Sequence, residues 1–183
     1  SISVDSDTST SDTLMLFSTS NKKINLKSYK NFNKLSIAMF ELMKNLADQV
    51  IKDGEGLTKL LEINVVKAKS TNQAKKIAFS IVNSPLVKSA IAGEDANWGR
   101  VVMAIGKAYQ QINQNKIKIS FGKNIVCERG KITRKINTKH LDRYMKHKVI
   151  KITIDLGIGK FSKKVFGNDL TYEYLNINAD YRT

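Results

Sequence analysis

TKLLEINVVKA, residues 58–68, alternates apolar with polar side chains and is rich in β-branched residues, which predicts a strand. Helical patterns flank it on both sides. Upstream, Leu35, Met39, Leu42, Met43, Leu46, Val50 and Ile51 recur every three or four residues. That spacing predicts an amphipathic helix of about five turns, closed near Gly54, with the Met39–Phe40–Met43 stripe in the core. Downstream, Ser70 and Gln73 have capping-box spacing, and Ala74, Ile77, Ala78 and Ile81 form the apolar face of a second helix. Pro85, the only proline, follows Ser84 and suits the first position of a third helix. Residues 93–100 read as a turn, and Val101, Val102, Ala104, Ile105 and Ala108 as a further helix.

Further out, KIKISFG (116–122) and NIVCERG (124–130) predict a hairpin, and residues 141–145 a short polar helix. KVIKITIDLG (148–157) predicts a strong strand, and LTYEYLNIN (170–178) another that ends the chain. At the other terminus, residues 1–5 and 13–18 predict two short strands around the polar SDTSTSD. Helices and strands alternate, so the expected class is α/β or α+β with mixed sheets. A composition change near residues 110–116 suggests a main lobe over 1–112 and a smaller C-terminal α/β lobe over 113–183.

With 183 residues, 42% hydrophobic and 26% charged, the composition is that of a folded domain, not a disordered chain. No run of 18 apolar residues occurs, so no membrane span is expected, and the single Cys127 suits a reducing, cytoplasmic setting. The chain opens on Ser1, in a strand-like pattern with no signal-peptide character, and reads as starting inside a longer protein. A formal charge of +15, from 31 Lys and Arg against 16 Asp and Glu, invites a nucleic-acid-binding reading. Its make-up argues against one. Only five of the 31 are Arg, and the lysines are scattered, whereas base readout and phosphate clamping favour clustered arginine.

Metal chemistry finds no support, because His140 and His147 stand seven apart with no second ligand pair and Cys127 lies in a strand pattern as a packed thiol. The GIG at 157–159 lacks the following helix of a dinucleotide loop, and no carboxylate pair suits glycoside chemistry. Four segments stand out: VDSDTSTSDT (4–13), DGEGLTK (53–59), NSPLVK with GEDANWGR (83–88 and 93–100), and NDLTYEYLNINADYRT (168–183). Glu55, between two glycines, sits where a ligand could approach the backbone closely, although a plain helix C-cap explains GEG equally well. Trp98, beside Asn97 and Arg100, reads more simply as core plus salt bridge.

In order and separation these segments resemble the β chain of ornithine acetyltransferases, the bifunctional glutamate N-acetyltransferases of arginine biosynthesis, over nearly the whole chain. The family pattern differs at Ser6 (usually Gly, in a turn that favours positive φ), Ser11 (Asn), Leu57 (Ala) and Ala96 (Pro). The resemblance implies an ornithine-acetyltransferase-like layered sandwich with a smaller C-terminal lobe. It also implies a precursor that cleaves itself, leaving a threonine at the head of the β chain as the acetyl-carrying nucleophile. That threonine is expected upstream of Ser1, so no catalytic residue is assigned within the chain; Thr8, Thr10 and Thr13 match other positions of the motif. Glu55, Asn178 and Thr183 match the family's substrate-binding residues. Asp7, Asp12, Asn97 and Arg100 are expected to be structural. The resemblance further implies an α chain as partner, in an α2β2 heterotetramer, and N-acetylornithine, glutamate and in some members acetyl-CoA as substrates. It implies no metal and no organic cofactor. The competing readings are an aminopeptidase or amidase of related fold and a basic nucleic-acid-binding domain. The first lacks a reason for an ammonium-binding Glu55, Asn178 and Thr183; the second explains neither GEG nor the C-terminal motif.

Overall fold

The computed structural model describes residues 2–9, 11–23, 25–133 and 136–181. It is an α+β protein built on one mixed sheet. Helix α1 (Tyr29–Lys52) precedes strand β1 (Leu60–Ala68), and three helices follow: α2 (Thr71–Val82), α3 (Pro85–Ala92) and α4 (Trp98–Lys107). The meander β2 (Lys118–Phe121), β3 (Asn124–Glu128) and β4 (Lys131–Ile132) leads to α5 (Thr138–Met145). The chain closes with β5 (Val149–Asp155), β6 (Phe161–Asn168) and α6 (Tyr172–Asp180).

The sheet order is β4-β3-β2-β5-β1-β6, with β1 and β5 parallel and every other pair antiparallel. The expected boundary at 112/113 therefore runs between strands of one sheet. Alternation in β1 sends Leu61, Ile63 and Val65 to one face, where Ile150, Ile152, Ile154, Ile119 and Phe121 join them. That face is covered by α2 through the predicted Ala74, Ile77, Ala78 and Ile81, and by Val101, Ala104 and Ile105 of α4. The opposite face is polar: Glu62 of β1 pairs with Lys164 at 2.8 Å and Lys151 at 3.6 Å.

Caps form where the residue types demand them. Ser70 accepts the Gln73 N–H and Ser84 the Val87 N–H, with Pro85 at the start of α3. Helix α4 starts at Trp98, inside the predicted turn. The GIG segment turns β5 into β6 against a bulge in β1, where the Lys67 carbonyl accepts both the Ile158 and Gly159 N–H groups. A Cβ on Gly159 would stand 2.1 Å from the Ala68 carbonyl oxygen, so only glycine fits.

Three expectations fail. The C-terminal LTYEYLNIN is a helix, α6, not a strand. The edge of β1 that it would have needed is already taken by β6, which the sequence reading passed over. At the N-terminus, Ile2 alone among the described residues makes a bridge, to Phe166, and no strand forms over 13–18. Third, the apolar stripe of α1 is not core: Phe40 is 71% exposed and, within the helix, only Ile51 is buried. The chain divides into two compact units, Ser1–Ser6 with Ile51–Thr183, and Asp7–Val50. Among its described residues the second holds most of one helix and an irregular segment, with nothing of its own to bury that stripe or pair with a strand. No helix among the described residues is long and apolar enough to cross a membrane.

Candidate functional site

The loop that feeds β1 and the segment that opens α6 are tied together by a set of hydrogen bonds, among them that of the Asp169 N–H to the Lys59 carbonyl at 3.1 Å. Asp169, 4% exposed, accepts the Thr58 N–H at 3.0 Å, the Thr58 hydroxyl at 2.5 Å and the Lys59 N–H at 3.1 Å. Two residues on, Thr171 caps α6 by accepting the Tyr174 N–H, while its hydroxyl donates to the Gly56 carbonyl at 2.5 Å. Gly56 has φ +59°, and a Cβ there would lie 2.4 Å from the Tyr174 nitrogen. The second glycine of GEG is thus set by two demands at once, a left-handed backbone and direct contact with a helix end.

This frame brings Glu55 to Asn178, one turn along α6 from Tyr174. The Asn178 side-chain amide donates to a Glu55 carboxylate oxygen at 3.2 Å and to the Tyr174 carbonyl at 2.9 Å. Both side chains are exposed, and the carboxylate remains available to a second donor. Residues 123 positions apart in sequence, each singled out beforehand, meet at one spot. Thr183 lies outside the described residues, as does Thr10.

The N-terminal residues enter from the other side. Tyr174 donates to the Asp5 carboxylate at 3.2 Å, and the buried Lys88 ammonium donates to the Val4 carbonyl at 2.7 Å. Burial pushes the Lys88 ammonium below its usual range, and the carboxylates of Asp5 and Asp169 oppose that shift. Lys59 pairs with Glu94 at 3.1 Å. An open cavity of about 550 Å³ adjoins the frame, lined among others by Thr58, Ser89, Leu170 and Thr171.

Other flagged residues are structural. Asn97 caps α4 by accepting the Arg100 N–H, and Arg100 reaches the Leu86 carbonyl at 2.9 Å, stapling α4 to α3. Ser6 sits at φ +82°, the left-handed turn foreseen where the family pattern has glycine. Cys127 is buried, and burial pushes its thiol up. No group of three or more His, Cys, Asp or Glu able to hold a metal ion occurs among the described residues. Lys88, Asp169, Thr171 and Tyr174 were not singled out, although all lie inside the flagged segments. Their signal was a lysine and an aspartate bordering apolar runs, which sequence alone does not distinguish from surface charge.

A carboxylate and a carboxamide stand side by side, on a loop and a helix end locked by buried polar contacts, an arrangement chemically able to meet the hydrogen-bond donors of a small polar ligand. The ArgJ family model matches residues 1–183, and the chain belongs to the ArgJ family. It is 47% identical to the arginine biosynthesis bifunctional protein ArgJ of Brucella suis, over all of this chain and 46% of that protein. With the protein of the same name from Bartonella henselae it shares 46% identity, over all of this chain and 45% of that protein. The chain thus spans about half the length of these relatives. A crystal structure of ArgJ from Bacillus halodurans superposes with a TM-score of 0.87 at 36% identity, covering 98% of this chain and 85% of that one.

Proposed function

We propose that this chain is the β-chain portion of a glutamate N-acetyltransferase of arginine biosynthesis, acting in the cytoplasm with its α chain in an α2β2 assembly. The observation that carries the reading is the 3.2 Å contact between Glu55 and Asn178, two residues that the family resemblance assigns to substrate binding. Family membership and the names of the relatives support the same class of reaction. Glu55 holds an ammonium group of N-acetylornithine, and Asn178 with Thr183 orients the substrate at the same place.

The transfer is a two-step exchange on a threonine that is not among residues 1–183. Its hydroxyl oxygen bonds to the acetyl carbon while its own α-amino group takes the proton. The amide C–N bond then breaks, and ornithine leaves with that proton. The α-amine of glutamate next attacks the threonine ester, forming the new C–N bond and returning the hydroxyl to threonine. Residues 1–183 alone do not turn substrate over.

The test uses the full-length precursor. Purified, self-cleaved protein is incubated with N-acetylornithine and glutamate, and ornithine release is measured. Release that requires glutamate supports acetyl transfer; acetyl-CoA with glutamate then separates one activity from two. No ornithine from correctly cleaved protein rejects the reading.

A further inference from the structure

A second cavity, of about 600 Å³, opens between α5 and the β2–β3 turn. It lies at the end of the sheet where β1 begins, since β5 runs parallel to β1 with Val149 opposite Leu60. Its ionisable lining consists of Lys123, His140, Arg143, Tyr144, His147 and Lys151, with no carboxylate among them. Lys151 shares the Glu62 carboxylate with Lys164, but Lys123 and Arg143 have no ion pair among the described residues. Asp142, the nearest acid in sequence, does not line the cavity. Two unneutralised cations on one concave surface favour an anion, and the guanidinium of the pair suits phosphate oxygens.

The same wall is aromatic. The Tyr144 hydroxyl accepts the Lys151 N–H at 2.8 Å, and its ring lies directly over Gly122, so the phenol is held in place. The His147 ring stands edge-on to it, with centroids 5.3 Å apart and planes at 85°. A cavity of this volume is far larger than a lone phosphate needs, and a flat ring is what an aromatic wall beside cations accommodates. We propose that this cavity binds a nucleoside phosphate, its base against Tyr144 and His147 and its phosphates against Lys123 and Arg143. The ligand could be a free nucleotide or the nucleotide end of a larger coenzyme; the recognising chemistry is the same. The site is separate from Glu55 and Asn178 and does not depend on the transferase reading.

Calorimetric titration of the full-length, self-cleaved protein with ADP, pyrophosphate, adenosine, coenzyme A and a 20-mer of oligo(dT) tests it. ADP is expected to bind more tightly than either pyrophosphate or adenosine. Lys123→Gln and Arg143→Gln, both at exposed positions, should each weaken ADP about tenfold. His147→Ala should weaken ADP while leaving pyrophosphate unchanged. Coenzyme A binding more tightly than ADP, with the same losses in the variants, identifies the coenzyme as the source; equal affinity identifies the free nucleotide. Absence of ADP binding at millimolar concentration overturns the proposal, as does binding indifferent to Lys123→Gln and Arg143→Gln. So does oligo(dT) binding tighter than ADP that falls equally with Lys75→Gln and Lys76→Gln on α2, because that marks a diffuse basic surface. No turnover is read, so this outcome and that of the ornithine assay are independent.

Discussion

Ser6 carries a backbone conformation that costs a residue with a Cβ about 1–2 kcal/mol. Glycine removes that strain and adds back a smaller entropy loss on folding, so Ser6→Gly should stabilise the protein by up to about 1 kcal/mol. A thermal melt would show the midpoint rising by roughly 2–4 °C for a chain of this size; an unchanged or lower midpoint would contradict it. Glu55 invites the complementary experiment on function. In the complete enzyme, Glu55→Gln should raise KM for N-acetylornithine tenfold or more, the size of a lost charge-assisted hydrogen bond of about 1.5–3 kcal/mol. Self-cleavage should proceed normally. Blocked cleavage with substrate binding intact would make Glu55 a maturation residue instead. Glu55 and Asn178 were each legible as candidates in the motifs that contain them, while their contact is visible only in the folded chain. The buried Asp169 that positions their loop was not, because an aspartate earns a buried place only from the three donors that meet it.

At the scale of elements, α6 shows how a local pattern loses to local capping and tertiary supply. LTYEYLNIN has the period of a strand, yet Thr171 caps the segment and Glu173 lies in its first turn, where the helix dipole favours an acid. The free edge beside β1 has meanwhile been filled by the half-polar FSKKVFGN of β6. Thr171→Ala should therefore cost about 1 kcal/mol for the lost cap, and more if the Gly56 carbonyl is left without its donor. Hydrogen exchange at the Tyr174 amide should accelerate, and Thr171→Ser should restore protection. Unchanged exchange in Thr171→Ala would mean the cap does not hold the helix. By contrast α2, α3 and the β2–β3 hairpin follow their sequence signals closely, since cap residue, apolar spacing and turn glycine agree in each.

For the whole molecule, the buried Lys88 links three separate stretches: its own helix, the N-terminal residues through the Val4 carbonyl, and the segment leading into α6. Because burial lowers its pKa in the folded state, the unfolded chain holds a proton that the folded chain has lost between that lowered value and the ordinary lysine value of 10.5. Stability contributed by this group must then rise with pH across that window. Measured against Lys88→Met, the wild-type protein should gain relative stability as pH climbs toward 10.5, by denaturant titration at each pH. A difference flat or falling with pH would mean that burial does not dominate its environment.

The sequence by itself determined the class, the sheet's central strands and most of the helices, and it offered Glu55 and Asn178 as separate candidates, because periodicity, caps and ordered motifs are local signals. Tertiary structure alone decided which apolar faces find a partner. The α2 stripe is buried because β1 and β6 lie beneath it. The equally regular α1 stripe stays exposed because Asp7–Val50 has no second layer of its own. Burial is a property of what lies opposite, and no spacing within a segment records that.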